Sequence, residues 1–235
     1  SAEPFAGFMA AALLLLSTNK GALSISASVA GYLSLLLTLV RSAWLGWFAG
    51  FITLASSLKA KHQMRLIIIA LVMTVLVVPL TTIEPFSQMI NNRLTTFSNI
   101  EEDGSAQARK ATFNGLIGSA LTNFVGDGIG SGGFDSALLA TLFNLGWIGS
   151  ICYVGGMLLL IFSLFHGSEG RSDPFIGTAH AIVMTCLVRL PVNVSILGLS
   201  GVVIWGFLGM GMAAKKYYQH QSTARLNQSL PQNPP

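Results

Sequence analysis

Charge is what this sequence has least of. Asp, Glu, Lys and Arg make up 9% of its 235 residues, against about 25% in soluble globular domains. A chain so poor in charge cannot clothe a water-soluble surface, and an ordinary soluble enzyme is excluded at the outset. Cysteine is scarce as well: the two, Cys152 and Cys186, fall inside apolar runs and read as buried small residues rather than as a secreted disulfide pair. The four histidines, His62, His166, His180 and His220, are scattered without ligand spacing, so no metal site is expected. There is no Gly-Lys-Ser/Thr phosphate-binding signature, and neither a cofactor nor a nucleic-acid partner is expected.

What is present is apolar. Hydrophobic residues make up 52% of the chain, and the mean hydropathy is +0.65. Apolar segments cover residues 4–18, 22–40, 43–58, 66–83, 138–165, 175–190 and 193–213. Several approach the roughly 20 residues that cross a bilayer core. The expected fold class is therefore all-α, a polytopic transmembrane bundle of about seven helices, with membrane lipids as its surroundings. Because the chain starts at Ser1, almost inside an apolar run, it reads as the C-terminal part of a larger protein. Four regions follow: helices one to four over 1–83, a long loop over 84–137, helices five to seven over 138–213, and a polar tail over 214–235 that is expected to be disordered.

Lysine and arginine set the orientation. The densest basic connection, Lys59 to Arg65, belongs on the cytoplasmic side, and alternation puts Lys20, Arg171, Lys215 and Lys216 there too. That leaves Arg41, Arg93, Arg109, Lys110 and Arg189 at or beyond the opposite face, where positive residues are disfavoured.

The loop over 84–137 lies on that outer side and is too long to be a passive turn. It holds the acidic cluster Glu101, Glu102 and Asp103, then Arg109 and Lys110, then the amphipathic stretch "KATFNGLIGSALTNFV", then a glycine run. Within the run, Gly128, Gly130 and Gly133 match G-x-G-x-x-G. A dinucleotide loop also needs a preceding strand and an acidic residue about 20 positions on. Here an amphipathic helix precedes, and the chain has reached Tyr153 in an apolar run by then. The glycines read instead as tight turns where the loop re-enters the membrane, with anion binding by their backbone N–H groups as a second reading. Asp127 reads as a turn residue.

Four pieces of sequence resemble one family. "EPFAGFMAAALLLL" (3–16) is similar to a small-residue helix, and "VRSAWLGWFAG" (40–50) to a Ser-Arg-Gly-Ala-Trp-Leu signature at the outer end of a helix. "AQARKATFNGLI" followed by "NFVGDGIGSGGF" resembles a loop arginine, a surface helix and a glycine turn, and "DSALLATLFNLGWIG" (135–149) a helix start ending in Gly-x-x-Gly. In order and rough spacing they resemble the O-antigen ligase and polysaccharide polymerase superfamily over most of residues 3–165. The resemblance implies a multi-span glycosyltransferase of a bacterial inner membrane, working at the periplasmic face without metal or nucleotide. Its donor would be a polyprenyl-diphosphate-linked oligosaccharide, its acceptor a hydroxyl of a glycan or lipid-linked glycan. Asp135 stands where ligases carry His, which is more like the polymerase-type members.

The candidate residues fit that chemistry. Arginine offers a planar, permanently charged fork for diphosphate oxygens, and Arg41, Arg109 and Arg189 are the candidates, with Arg41 also placed in the catalytic set. A carboxylate can accept the acceptor's proton, and Asp135 is the candidate. Each has a plainer alternative: Arg41 an interfacial anchor, Arg109 a salt-bridge partner of the acidic cluster, Arg189 a helix-end residue, and Asp135 an N-cap. Two rival functions remain open, a transporter or flippase for a lipid-linked or anionic substrate, and a structural membrane subunit.

Overall fold

The computed structural model describes residues 2–19, 21–58, 60–77, 84, 87–88, 104–130, 134, 136–166, 173–192 and 196–229, apart from certain side chains within helices, those of Arg65 and Arg109 included. Among these residues the chain is all-helical, with no strand. The helices are α1 (Ala2–Thr18), α2 (Ala22–Leu37), α3 (Arg41–Ser57), α4 (Ala60–Val77), α5 (Gly104–Thr122), α6 (Ala137–Phe165), α7 (Pro174–Arg189) and α8 (Leu199–Ser229), with a 3-10 turn at Leu190–Val192. Among the described residues one helix, α6, is long and apolar enough to cross a membrane; α1, α2 and α7 are apolar and shorter.

The centre of the bundle is the pair α3 and α7, brought together by glycines. A Cβ on Gly46 would stand 2.9 Å from the Thr185 carbonyl, one on Gly50 2.7 Å from the Ala181 carbonyl, and one on Gly177 2.5 Å from Ser57 Oγ. Rising numbers in α3 meet falling numbers in α7, so the two helices are antiparallel and nearly backbone to backbone. Close approach through small residues gains dispersion contacts where no hydrophobic force need act. α1 packs on both, α2 on α1, α8 on the other side of α7, and α6 on α8.

Small residues share the buried faces with Leu13, Leu14 and Leu54, while many large apolar side chains face outward. Ala6, Ala10 and Ala11 of α1 are buried while Phe5 and Phe8 are exposed. Ala43, Gly46 and Gly50 of α3 are buried while Leu45, Phe48 and Ile52 are exposed. α4 exposes Ile67, Ile68, Leu71 and Val75. Cys152, expected to be buried, is one of the outward-facing residues of α6.

The ends of α6, α7 and α8 are tied at one level. Asp173 N-caps α7, accepting from the backbone N–H groups of Phe175 (2.9 Å) and Ile176 (3.2 Å), with Pro174 at the first helical position. The Tyr218 hydroxyl of α8 donates to the same carboxylate at 2.7 Å. The Lys215 ammonium, buried, donates to the carbonyls of Ser163 and His166, which the end of α6 leaves without helical partners.

Two expectations need correction. The tail from 214 on does not begin disordered: α8 continues to Ser229. Once a helix is nucleated, residues such as Ala, Lys, Gln, Arg and Leu propagate it at little cost. Nor is the segment 138–165 one continuous helix. Gly146, at φ 65° and ψ −176°, breaks α6 near its first third.

Candidate functional site

The break in α6 organises the segment that joins α5 to α6. A helix interrupted at Gly146 leaves carbonyls before it and N–H groups after it without partners. The segment joining α5 to α6 supplies them. Asp127 N–H donates to the Phe143 carbonyl (2.7 Å), Gly128 N–H to the Asn144 carbonyl (3.1 Å), and Trp147 N–H to the Asn123 carbonyl (3.2 Å). Gly130 N–H donates to Asn144 Oδ1 at 2.9 Å and the Trp147 indole N–H to the Leu121 carbonyl at 3.1 Å. The fit demands glycine. A Cβ on Gly126 would collide with the Asn144 carbonyl, and one on Gly146 would stand 2.5 Å from the Phe124 carbonyl. Gly128 and Gly130 turn the chain at φ 92° and 98°.

This is what the glycine run does over 126–130. Its N–H groups at 127, 128 and 130 are occupied by α6, so they form no anion nest, and the dinucleotide pattern is coincidental; Gly133 lies outside the described residues.

α5 lies against the first part of α6. Phe113, Leu116, Ile117 and Ala120, spaced at three and four, face Leu139 and Leu142, and Phe134 stacks on Phe143 with ring centroids 4.8 Å apart. Beneath this layer is a cavity of about 590 Å³. Lys110 and Thr112 of α5 and Ser136 contribute polar groups to its lining; Leu139 and Leu142 before the α6 break, Val154 and Met157 after it, and Leu190, Pro191 and Ile196 form apolar walls. Its two deeper hydroxyls are already engaged: Thr141 donates to the Ala137 carbonyl (2.6 Å) and Ser150 to the Thr141 carbonyl (3.1 Å). The result is a largely apolar cavity with the exposed Lys110 among its lining residues, a lining suited to an apolar ligand that carries an anionic group.

The sequence candidates stand as follows. Asp135 lies outside the described residues; its neighbour Ser136 lines the cavity. Arg109 falls in α5, its side chain outside the described set, and the adjacent Lys110 lines the cavity. Arg41 opens α3, half-buried, five residues before Gly46 and so about 7–8 Å further along the axis.

Arg189 is elsewhere. It ends α7 with 3% of its surface exposed, and its Nη2 donates to the Glu3 carbonyl of α1 at 3.1 Å. Its stem passes over Gly46, whose Cβ would stand 2.9 Å from Cγ and Cδ, and its Nη1 occupies the space a Cβ on Gly7 would need. Arg189 thus joins α1, α3 and α7. It lines a smaller cleft with Pro4, Phe8 and Ser200, and Leu190 and Ile196 form a wall shared by that cleft and the larger cavity. Lys110 and the cavity-lining hydroxyls were missed as site residues, although Lys110 was visible as an outer-face cation beside Arg109.

No family model, curated protein or solved structure matches the chain.

Proposed function

We propose that the chain is a polytopic membrane glycosyltransferase of the O-antigen ligase and polysaccharide polymerase type, acting at the periplasmic face of a bacterial inner membrane. The observation that supports this reading is the apolar cavity with Lys110 and Ser136, the neighbour of Asp135, among its lining residues. The cavity holds the first isoprene units of a polyprenyl-diphosphate-linked glycan, and the diphosphate meets Lys110 and Arg109, with Arg41 at the same end of the bundle. The outward-facing large side chains of α1, α3, α4 and α6 support membrane embedding, since lipid is the solvent in which they are not exposed to water.

In the reaction, an acceptor hydroxyl oxygen attacks the anomeric carbon and the bond to the diphosphate oxygen breaks. The diphosphate leaves with the electron pair, its charge balanced by the cations. Asp135 takes the hydroxyl proton. Arg189, buried between helices, holds α1 and α3 in place rather than touching the diphosphate.

Transport of the same substrate is the second reading, and the broken helix α6 favours it, because transporter sites are commonly built on discontinuous helices. In such sites the free helix ends face the ligand, whereas at Gly146 the joining segment takes them up.

The test is the size distribution of lipid-linked and surface glycans in cells carrying the full-length protein, a deletion, or Arg41→Ala, Lys110→Ala and Asp135→Asn variants. Single repeat units accumulating on the carrier identify a polymerase; long carrier-linked chains that never reach their acceptor identify a ligase. An unchanged profile with the variants expressed and inserted refutes glycosyl transfer.

A further inference from the structure

The segment that fills the α6 break also carries a compact set of exposed large apolar side chains. Phe124, Val125 and Ile129 are 66%, 75% and 77% exposed, and Leu121 at the end of α5 is exposed beside them. They are held in that position. The backbone of the segment faces α6 through the bonds of Asn123, Asp127, Gly128 and Gly130, and the Trp147 indole grips the Leu121 carbonyl. With the main chain turned inward, the side chains must face out.

Their height can be read along α6. From Trp147 to Phe165 the helix is about 28 Å long at roughly 1.5 Å per residue, close to the thickness of a bilayer hydrocarbon core of about 30 Å. The lower limit is marked by the Lys215 ammonium on the Ser163 and His166 carbonyls. The upper limit then falls at Trp147, an indole with an apolar body and a bonded N–H, as is usual at a membrane boundary. Ile151, Leu158 and Phe162 follow Trp147 at spacings of four, seven and four on one face of α6, and all three are exposed. The segment sits directly above this apolar row and continues it upward. Between Leu121 and Gly130 the sole charged residue is Asp127.

We propose that residues 121–129 form an interfacial anchor, in which Leu121, Phe124, Val125 and Ile129 insert into the headgroup–acyl boundary of the outer leaflet. The occupant of this surface is phospholipid. Because the same segment is bonded to α6 and continuous with α5, the anchor also ties the C-terminal end of α5 to the membrane boundary. The inference rests on the membrane-embedded reading of α6 and not on glycosyl transfer.

The test uses the full-length protein in phospholipid nanodiscs with Cys152 and Cys186 replaced by alanine. Spin labels are attached to Phe124→Cys, Ile129→Cys, Leu158→Cys as a control within the span, and Gln219→Cys as a control beyond it. Collision with oxygen is compared with collision with a water-soluble nickel chelate. Oxygen should dominate at 124 and 129, at a depth just inside the phosphates, and more strongly at 158, while nickel dominates at 219. Nickel dominating at 124 and 129 with oxygen dominating at 158 overturns the anchor and leaves the membrane reading intact. Exclusion of both reagents at 124 and 129 also overturns it, showing a second copy or another protein over the segment. Nickel dominating at 158 overturns the membrane reading of α6 and the anchor with it.

Discussion

Replacing Gly146 with alanine should disconnect the outer layer of the molecule from α6. At φ 65° and ψ −176° the residue occupies a region that is essentially restricted to glycine, and an L side chain there costs about 1–3 kcal/mol in backbone strain alone. The new Cβ would also stand 2.5 Å from the Phe124 carbonyl, so the 123–130 segment must withdraw. Withdrawal breaks the bonds of Asp127 N–H, Gly128 N–H and Trp147 N–H to their partners, each contributing about 0.5–1.5 kcal/mol net. The total is about 2.5–7.5 kcal/mol, and at about 2–4 °C per kcal/mol for a chain of this size the thermal midpoint should fall by at least about 5 °C. The assay is thermal unfolding of the purified protein in nanodiscs, with amide exchange read over 123–130. Gly155→Ala on the same helix is the control, since nothing lies within 4 Å of the added Cβ, and it should be neutral or stabilising by about 0.5–1 kcal/mol. A Gly146→Ala protein with unchanged midpoint and unchanged protection over 123–130 would refute the role given to the break.

Other contacts make equally specific predictions. Gly7→Ala should displace the Arg189 guanidinium from the Glu3 carbonyl, and in a double-mutant cycle its cost should shrink once Arg189→Ala has emptied the slot; additive costs would contradict the contact. Lys215→Met should lower stability by about 1–3 kcal/mol by leaving the last carbonyls of α6 without their donor, measured by thermal unfolding, whereas Lys216→Met, on an exposed neighbour, should have little effect. The Asp173 carboxylate, accepting from Tyr218, holds that phenol above its ordinary value; the contact's contribution is therefore complete below about pH 10 and declines as pH rises through the raised value. A difference titration by ultraviolet absorbance should show one tyrosine ionising earlier in Asp173→Asn than in the parent protein, and identical curves would contradict the contact. Filling the cavity with Val154→Trp should abolish the glycan product while the protein still inserts and folds; full activity would show that the carrier binds elsewhere.

The elements legible in the sequence were those governed by local pattern. Apolar runs gave the helices; the expected amphipathic stretch is helical, but α5 as a whole has almost no apolar sidedness, and Phe113, Leu116, Ile117 and Ala120 are set apart by packing against α6 rather than by the pattern of the helix. The break at Gly146 was not legible, because a glycine inside an apolar run looks like a packing residue; its distinguishing bonds come from residues about 20 positions earlier in the chain. Arg189 was legible as a helix-end cation but not as a buried one, since burial depends on Gly7 and Gly46 from two other helices clearing its path. The cavity was legible only through Lys110, because its walls join α5, both parts of α6 and the 190–196 turn. The helical extension of α8 was misread because polarity excludes burial but not helix formation.

The most direct measurement is photo-crosslinking of the full-length protein in nanodiscs with a polyprenyl diphosphate carrying a diazirine in its isoprene units nearest the diphosphate. Labelling is expected at cavity residues such as Leu139, Val154 and Met157, competed by unlabelled polyprenyl diphosphate and weakened by Lys110→Ala. Labelling spread over the outward-facing rows of α4 and α6, insensitive to competitor and to Lys110, would contradict the assignment of the cavity to the carrier.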